Sequence, residues 1–205
     1  VLLVHSEVIF GVIIAALLLG ERPSLRQMIG IVMASCGVVV ILGAPALDGQ
    51  WLSIGLVLSG ALVWAFGQVL IRRLDGALGG FQLTAWIGVM AGPQMLLASF
   101  FIDGNPLPAI QAAPIEAWLT VIYLGVVMTA IGYSAWYFVL ARYPVPMVMP
   151  VLLLLPVAAI FGAVTMLGEA PDPMVLAGGM VVISGVGVVV VEPAYLMAWW
   201  RKKTG

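Results

Sequence analysis

The sequence predicts an all-α polytopic membrane protein with seven transmembrane helices. Hydrophobic residues make up 63% of the 205 residues and charged residues only 8%, whereas a soluble domain of this size carries far more charge on its surface. The apolar residues also occur in blocks of roughly 18–25, and a helix of that length crosses a hydrocarbon core about 30 Å thick. Both observations indicate helices that span a membrane.

Polar loops and loops rich in Pro and Gly separate the apolar blocks. The predicted spans cover approximately residues 1–20, 27–43, 52–71, 80–101, 117–140, 145–167 and 174–191. An amphipathic and basic tail follows over residues 192–205. The chain starts inside an apolar block without an initiator Met and without the basic n-region of a signal peptide. We therefore expect the N-terminus to be a truncation of a longer protein.

The positive charges predict the orientation of the chain. All eight Lys and Arg residues lie in alternate loops or in the tail, whereas the other three loops carry only acidic charges. The basic residues are Arg22, Arg26, Arg72, Arg73, Arg142, Arg201, Lys202 and Lys203. By the positive-inside rule, the basic loops and the C-terminus are predicted to be cytoplasmic in a cell (inner) membrane.

A two-helix segment occurs twice, in opposite orientations. Residues 8–42 match residues 156–190, and both copies contain a Gly-Glu-x-Pro turn with glycines seven and fourteen residues beyond its proline. The first turn contains arginines and is predicted inside, whereas the second contains only acidic charges and is predicted outside. Inverted pairs of this kind are typical of secondary transporters. Five spans, from residue 52 to residue 191, form a repeat that ends with the second copy, whereas only two spans precede residue 44. A complete first repeat would need three more helices, so the intact protein is predicted to have ten helices.

Three stretches of the sequence resemble the EamA family of the drug/metabolite transporter superfamily. The end of a first EamA repeat resembles SEVIFGVIIAALLLGERPSLRQMIGIVMASCGVVVI, and the opening of a second resembles LVLSGALVWAFGQVLIRRL. The C-terminal end of the second repeat resembles IYLGVVMTAIGYSAWYFVLARYPVPMVMPVLLLLPVAAIFGAVTMLGEAPDPMVLAGGMVVISGVGVVV. The most specific pieces are the two Gly-Glu turns, Trp64 with Gly67, and the TAIGYSAW run at 129–136.

The resemblance implies a domain organisation and a function. Residues 1–43 would hold the last two helices of a first repeat, residues 52–191 the second five-helix repeat, and residues 192–205 a cytoplasmic tail. The likeness is nearest to exporters of amino acids and amino-acid metabolites. It implies export of small organic solutes by alternating access, with no cofactor.

Polar and aromatic side chains near the membrane midplane are candidates for the substrate pathway, because transporter sites lie there. Counting 1.5 Å per residue from the nearest inner loop puts Trp64 and Tyr133 about 12–13 Å deep. Helical spacing places Gln68 on the same face as Trp64. It also places Thr129 and Tyr137 on the same face as Tyr133. The alternative is that these groups serve helix packing and interhelical hydrogen bonds. The candidates are Trp64, Gln68, Thr129, Tyr133 and Tyr137.

Glu7 is the only carboxylate well inside a predicted span, about 21 Å along the helix from Glu21 at the inner loop. A carboxylate in a membrane segment is costly and usually functional, so Glu7 is a candidate for proton coupling. The alternative is a glutamate near the outer rim that reaches water, with His5 as a solvated neighbour. Three prolines are expected to kink their spans: Pro93, Pro150 and Pro156.

Several other classes of protein find no support. The chain has no His-Glu-x-x-His motif, no paired intramembrane Asp and only one His, which argues against an enzyme. Its single Cys36 excludes a disulfide framework and a cysteine metal site. No basic cluster interleaves with aromatics as on a nucleic-acid surface. The predicted partners are a small-molecule substrate and the lipid bilayer. A homodimer, a drug, polyamine or lipid-linked substrate, and a scaffold role stay open.

Overall fold

The structure of the chain is a computed structural model that describes residues 2–43, 51–74, 76–102 and 104–191. These residues form helices and no strands. Six helical segments are long and apolar enough to cross a membrane, and their bounds agree with the predicted spans within two residues. The six are Leu25–Leu42, Trp51–Arg73, Gly80–Ile102, Ile115–Leu140, Val145–Leu167 and Pro173–Val190. The predicted class of polytopic α-helical membrane protein is thereby confirmed.

The first predicted span differs from the others. It is an apolar helix over Leu3–Leu18, shorter than the roughly 20 residues that a straight crossing needs. Its first turn is a 3₁₀-helix, Leu2–His5, and the α-helix proper starts at Ser6. The count of seven spans therefore stays a prediction. The predicted tail, 192–205, lies outside the described residues.

Ten α-helices follow one another in the described residues. They are α1 Ser6–Leu18, α2 Leu25–Leu42, α3 Trp51–Arg73, α4 Gly80–Ile102, α5 Leu107–Ala112, α6 Ile115–Tyr123, α7 Ser134–Leu140, α8 Val145–Val148, α9 Leu155–Leu167 and α10 Pro173–Val190. A π-helix, Leu124–Tyr133, joins α6 to α7, and a 3₁₀-helix, Met149–Leu154, joins α8 to α9. Two of the six long segments thus change their hydrogen-bond pattern within the apolar region.

The prolines lie at different places in these segments. Pro150 is in the first turn of the 3₁₀-helix and Pro156 is in the first turn of α9, so the helix type changes beside both. A proline ring removes a backbone N–H donor, which favours such a change. Pro93 lies inside the continuous helix α4. The kinks themselves stay predictions.

The described residues divide into two compact units, one made of 2–73 and 143–191 and the other of 74–142. In the first unit, α2 packs against α10 through glycines. A Cβ atom at Gly185 would lie 2.7 Å from the carbonyl oxygen of Gly30, and one at Gly37 would lie 2.8 Å from that of Gly178. The paired positions run in opposite directions along the two helices, so α2 and α10 are antiparallel. Small residues allow this close backbone approach.

The two Gly-Glu-x-Pro turns, also in the first unit, have the same backbone structure. Gly20 and Gly168 have positive φ angles of 71° and 68°, which favour glycine. In both turns the N–H of the following glutamate donates to the carbonyl of an alanine six residues earlier, at 3.3 Å. Together with the left-handed glycine, this bond closes the end of the preceding helix. The two sequence copies thus end their first helix in the same way.

The second helix of each copy also begins in the same way. Ser24 caps α2 by accepting a hydrogen bond from the N–H of Gln27 at 3.2 Å. Asp172 caps α10 by accepting one from the N–H of Met174 at 2.7 Å. Such caps satisfy N–H groups that have no partner inside the helix. Helices α2 and α10 begin and end at positions 148 residues apart.

In the second unit, the start of α4 packs closely on α7. The hydroxyl of Thr84 donates to the carbonyl of Gly80 at 2.9 Å, and the hydroxyl of Ser134 lies 3.3 Å from that of Thr84. A Cβ atom at Gly80 would lie 3.2 Å from the backbone nitrogen of Phe138. Glycine at position 80 therefore permits the helix contact that the two hydroxyls support.

Candidate functional site

Glu7 lies in the first turn of α1, directly after the 3₁₀-helix Leu2–His5. The residue is only 8% exposed, and no described residue forms a hydrogen bond or ion pair with its carboxylate. The nearby Nδ1 atom of His5 is also buried without a hydrogen-bond partner in the described part of the chain. Buried polar groups are costly unless they are paired. This end of the first helix therefore holds two polar groups without a partner among the described residues.

The helix face that carries Glu7 meets an irregular part of the chain. Gly11, one turn after Glu7, lies directly under the thioether of Met149, where a Cβ atom would collide with the sulfur. Met149 is the first residue of the 3₁₀-helix in the segment 145–167. Interrupted helices near the midplane often form the solute and ion sites of transporters. The face of α1 that carries Glu7 thus packs beside an interrupted helical segment, and a role for Glu7 in proton coupling stays a prediction.

Trp64 and Gln68 lie one turn apart on α3, as predicted. Gln68 is 2% exposed and belongs to the buried face of the helix with Ala61, Ala65 and Val69. Trp64 is 37% exposed. The amide of Gln68 is therefore enclosed by protein, which also suits the alternative of a helix-packing role. A place for either residue in the substrate pathway stays a prediction.

The three candidates of the second unit follow one another along the π-helix and α7. The rings of Tyr133 and Tyr137 are paired, with centroids 5.7 Å apart and planes at 38°. Tyr137 is buried, whereas Thr129 is exposed. The hydroxyl of Thr129 donates to the carbonyl of Leu124, five residues earlier, at 2.9 Å. This bond matches the π-helical spacing and could not be predicted from the α-helical geometry expected here.

A cluster of charged contacts, all within the first unit, was not predicted. One carboxylate oxygen of Glu21 accepts a hydrogen bond from Nε of Arg72 at 2.9 Å, and the other accepts one from the N–H of Val145 at 2.7 Å. We call these three groups the Glu21 cluster. It joins the turn after α1 to the end of α3 and to the start of the segment 145–167. A carboxylate at the N-terminal end of a helix interacts favourably with the helix dipole.

Arg26, in the first turn of α2, contacts the C-terminal end of another helix, α10. Its guanidinium donates to the carbonyls of Val189 and Val191 at the end of α10, at 3.3 Å for Val189. A cation is favoured at the C-terminus of a helix. These contacts could not be predicted, because contacts over such separations leave no local pattern. In the sequence, Arg26 and Arg72 indicate only the topology, and Glu21 indicates only the repeat and the inner end of the first span. No group of three or more His, Cys, Asp or Glu residues could hold a metal ion in the described part of the chain.

Several known proteins are similar to the chain. A probable amino-acid metabolite efflux pump of Salmonella typhimurium is 28% identical over 192 residues, which cover 90% of this chain and 64% of that protein. A probable terminal-alkyne amino-acid exporter of Streptantibioticus cattleyicolor is 32% identical over 189 residues, 90% of this chain and 61% of that protein. A probable amino-acid metabolite efflux pump of Escherichia coli is 27% identical over 192 residues, 90% of this chain and 64% of that protein.

The chain thus spans less than two thirds of the length of these relatives. No solved structure matches it significantly. The family model of EamA-like transporters matches residues 51–191, which is more than half of the chain and includes α3 to α10. The resemblance that the sequence motifs indicated is confirmed by this match. The chain belongs to the EamA-like transporter family.

Proposed function

We propose that the chain is the larger part of an exporter of amino acids or amino-acid derivatives. Membership of a transporter family supports transport over an enzymatic function. The descriptions of three relatives, two as amino-acid metabolite efflux pumps and one as an amino-acid exporter, support this class of solute. The intact transporter would be a multi-pass protein of the cell (inner) membrane with a cytoplasmic C-terminus.

The packing of α2 on α10 is the observation that supports alternating access best. The sequence repeat pairs Gly30 with Gly178 and Gly37 with Gly185, while the contacts join Gly30 to Gly185 and Gly37 to Gly178. Exchanging each glycine for its counterpart in the other copy turns the Gly30–Gly185 contact into the Gly37–Gly178 contact and the reverse. This is the pattern of contacts that a two-fold axis between the copies produces. The antiparallel helices are thus what two inverted copies produce. On this proposal, residues 1–43 end a first repeat and residues 52–191 form the second in a ten-helix transporter.

In this proposal Glu7 would act as the proton site. The aromatic and polar candidates of each unit, taken separately, are candidates for contact with the solute. Paired tyrosine rings suit a small amphipathic molecule because they offer both an apolar face and a hydroxyl group. A zwitterionic amino acid has this combination of charged and apolar parts.

Export can be tested with propargylglycine, an amino acid whose terminal alkyne allows sensitive detection. Cells that produce the full-length protein and are preloaded with this probe should lose it several times faster than cells with an empty vector. Spermidine serves as a second probe for the polyamine alternative. Faster loss of spermidine but not of propargylglycine would assign the protein to polyamine transport instead. No accelerated loss of either probe, with the protein present in the membrane, would contradict the proposal and favour a scaffold.

The orientation makes a separate prediction for cysteines introduced in a Cys36→Ala background. Positions 24, 74 and 203 should react with a membrane-impermeant thiol reagent only from the cytoplasmic side, because their loops or tail carry the arginines and lysines. Positions 48, 104 and 171 should react from outside; positions 48 and 203 lie outside the described residues. Labelling of position 24 in intact cells would overturn the orientation.

A further inference from the structure

Glu21 is placed where the two proposed repeats meet. It belongs to the proposed first repeat, residues 1–43, whereas both of its partners, Arg72 and the N–H of Val145, belong to the proposed second repeat, residues 52–191. Arg72 lies in the last turn of α3, and Val145 begins the segment 145–167. One carboxylate therefore joins three parts of the first unit: the turn after α1, the end of α3 and the start of the segment 145–167. All three lie at the end of that unit where Arg22, Arg26 and Arg72 are found.

Two kinds of contact join the proposed repeats within this unit, and they differ in how easily they can open. The α2–α10 contact is backbone against backbone, with glycines where no Cβ atom fits, so it favours a fixed axis. The Glu21–Arg72 pair consists of side chains that are each 17% exposed. Water can replace such bonds, and partly exposed ion pairs add little stability. Contacts of this second kind can form and break during a transport cycle.

The residues just behind the Glu21 cluster lead toward Glu7. Val145, Val148 and Met149 are buried, and Met149 packs on Gly11, one turn after Glu7 on α1. Releasing the N–H of Val145 from Glu21 would free the start of the segment 145–167. That movement would expose the buried residues behind it and open a route toward the unpaired carboxylate.

We propose that the Glu21 cluster is the cytoplasmic gate of this transporter. It is formed while the solute pathway is closed to the cytoplasm, and it is broken when the pathway opens there. This inference rests on the proposed function and orientation. It assigns Glu21 a role that changes during the cycle, rather than a constant structural one.

The second copy supplies a matched control. Glu169 occupies the position of Glu21 in the other Gly-Glu-x-Pro turn, with the same backbone bond to an alanine carbonyl. It is exposed, and no described residue pairs with its side chain. Glu169→Gln therefore removes the same charge from the same kind of turn without breaking a gate.

The first test measures opening without requiring transport. Val148→Cys is introduced into the full-length protein without native cysteines, and inside-out vesicles are treated with a membrane-impermeant maleimide. Glu21→Gln or Arg72→Gln should raise the labelling rate up to about fivefold, as a loss of about 1 kcal/mol in closing would. Glu169→Gln should leave the rate unchanged. Equal rates for Glu21→Gln and its parent would overturn the gate.

The second test separates a gate from a permanent structural contact. Glu21→Cys and Arg72→Cys are combined and bridged by a short bis-thiosulfonate reagent, which a reductant removes. Bridging should stop propargylglycine efflux, and reduction should restore it. Undiminished efflux by the bridged protein would overturn the gate while leaving the proposed function intact. If the unmodified full-length protein exports neither propargylglycine nor spermidine, the proposed function fails, and the labelling rates alone decide whether the cluster opens.

Discussion

Gly185→Ala should destabilise the protein by about 3 kcal/mol or more, whereas Gly187→Ala should not destabilise it. A Cβ atom at position 185 would lie 2.5 Å from the backbone nitrogen of Ala34 and 2.7 Å from the carbonyl oxygen of Gly30. These are backbone atoms of α2 that cannot rotate away, so the helices would have to separate. Helix association in a membrane depends on such packing because lipid is as apolar as the helix surfaces.

Gly187 is the matched control on the same helix. A Cβ atom there would have nothing within 4 Å, and alanine is favoured over glycine in a helix interior by up to about 1 kcal/mol. Thermal unfolding of the purified variants in one detergent should give a lower apparent Tm for Gly185→Ala and an unchanged or higher one for Gly187→Ala. Equal values for the two variants would mean that α2 and α10 do not pack through these glycines.

The helical segments could be predicted from the sequence because the membrane fixes their length and composition. The predicted span 145–167 coincides with the observed segment, and 174–191 differs from Pro173–Val190 by one residue at each end. The repeated Gly-Glu-x-Pro also indicated where helices end. Its glycine takes the positive φ of a helix terminus, and the polar residue after its proline caps the next helix.

The type of helix could not be predicted in the same way. The π-helix over Leu124–Tyr133 and the 3₁₀-helix over Met149–Leu154 are as apolar as the α-helices beside them. All three helix types satisfy the backbone internally, which is what the lipid environment requires. Hydropathy therefore does not distinguish them. Pro150 marks one of these changes, but the π-helix contains no proline.

The partners of the charged side chains were missed for a different reason. Glu21 contacts Arg72 and Val145, which are 51 and 124 residues away in the sequence. No periodic pattern connects residues at such separations, so only the fold brings them together. The candidates Trp64, Gln68, Thr129, Tyr133 and Tyr137 were selected by residue type, depth and helical spacing. None of these indicates whether the shared face of a helix meets a solute or a neighbouring helix.

Glu7→Gln in the full-length protein should abolish the response of efflux to a pH gradient while leaving solute exchange measurable. Glu7 is a buried carboxylate in an apolar segment without a described partner. A protonated carboxyl can move through an apolar barrier as a neutral group, whereas a charged one resists this movement. Glutamine keeps the shape and a hydrogen-bonding end but cannot exchange a proton. It should therefore leave a transporter that equilibrates solute but does not use the gradient.

The comparison uses propargylglycine in vesicles with and without an imposed pH gradient, at matched amounts of protein in the membrane. Glu169→Gln is the control, because it removes an exposed carboxylate from a loop and should keep the full response. Gradient-driven efflux equal to that of the unmodified protein would make Glu7 a solvated residue near the outer rim. Loss of exchange as well as of coupling would instead assign Glu7 to packing. Proton coupling thus requires one specific result, in which the gradient response is lost and exchange is retained.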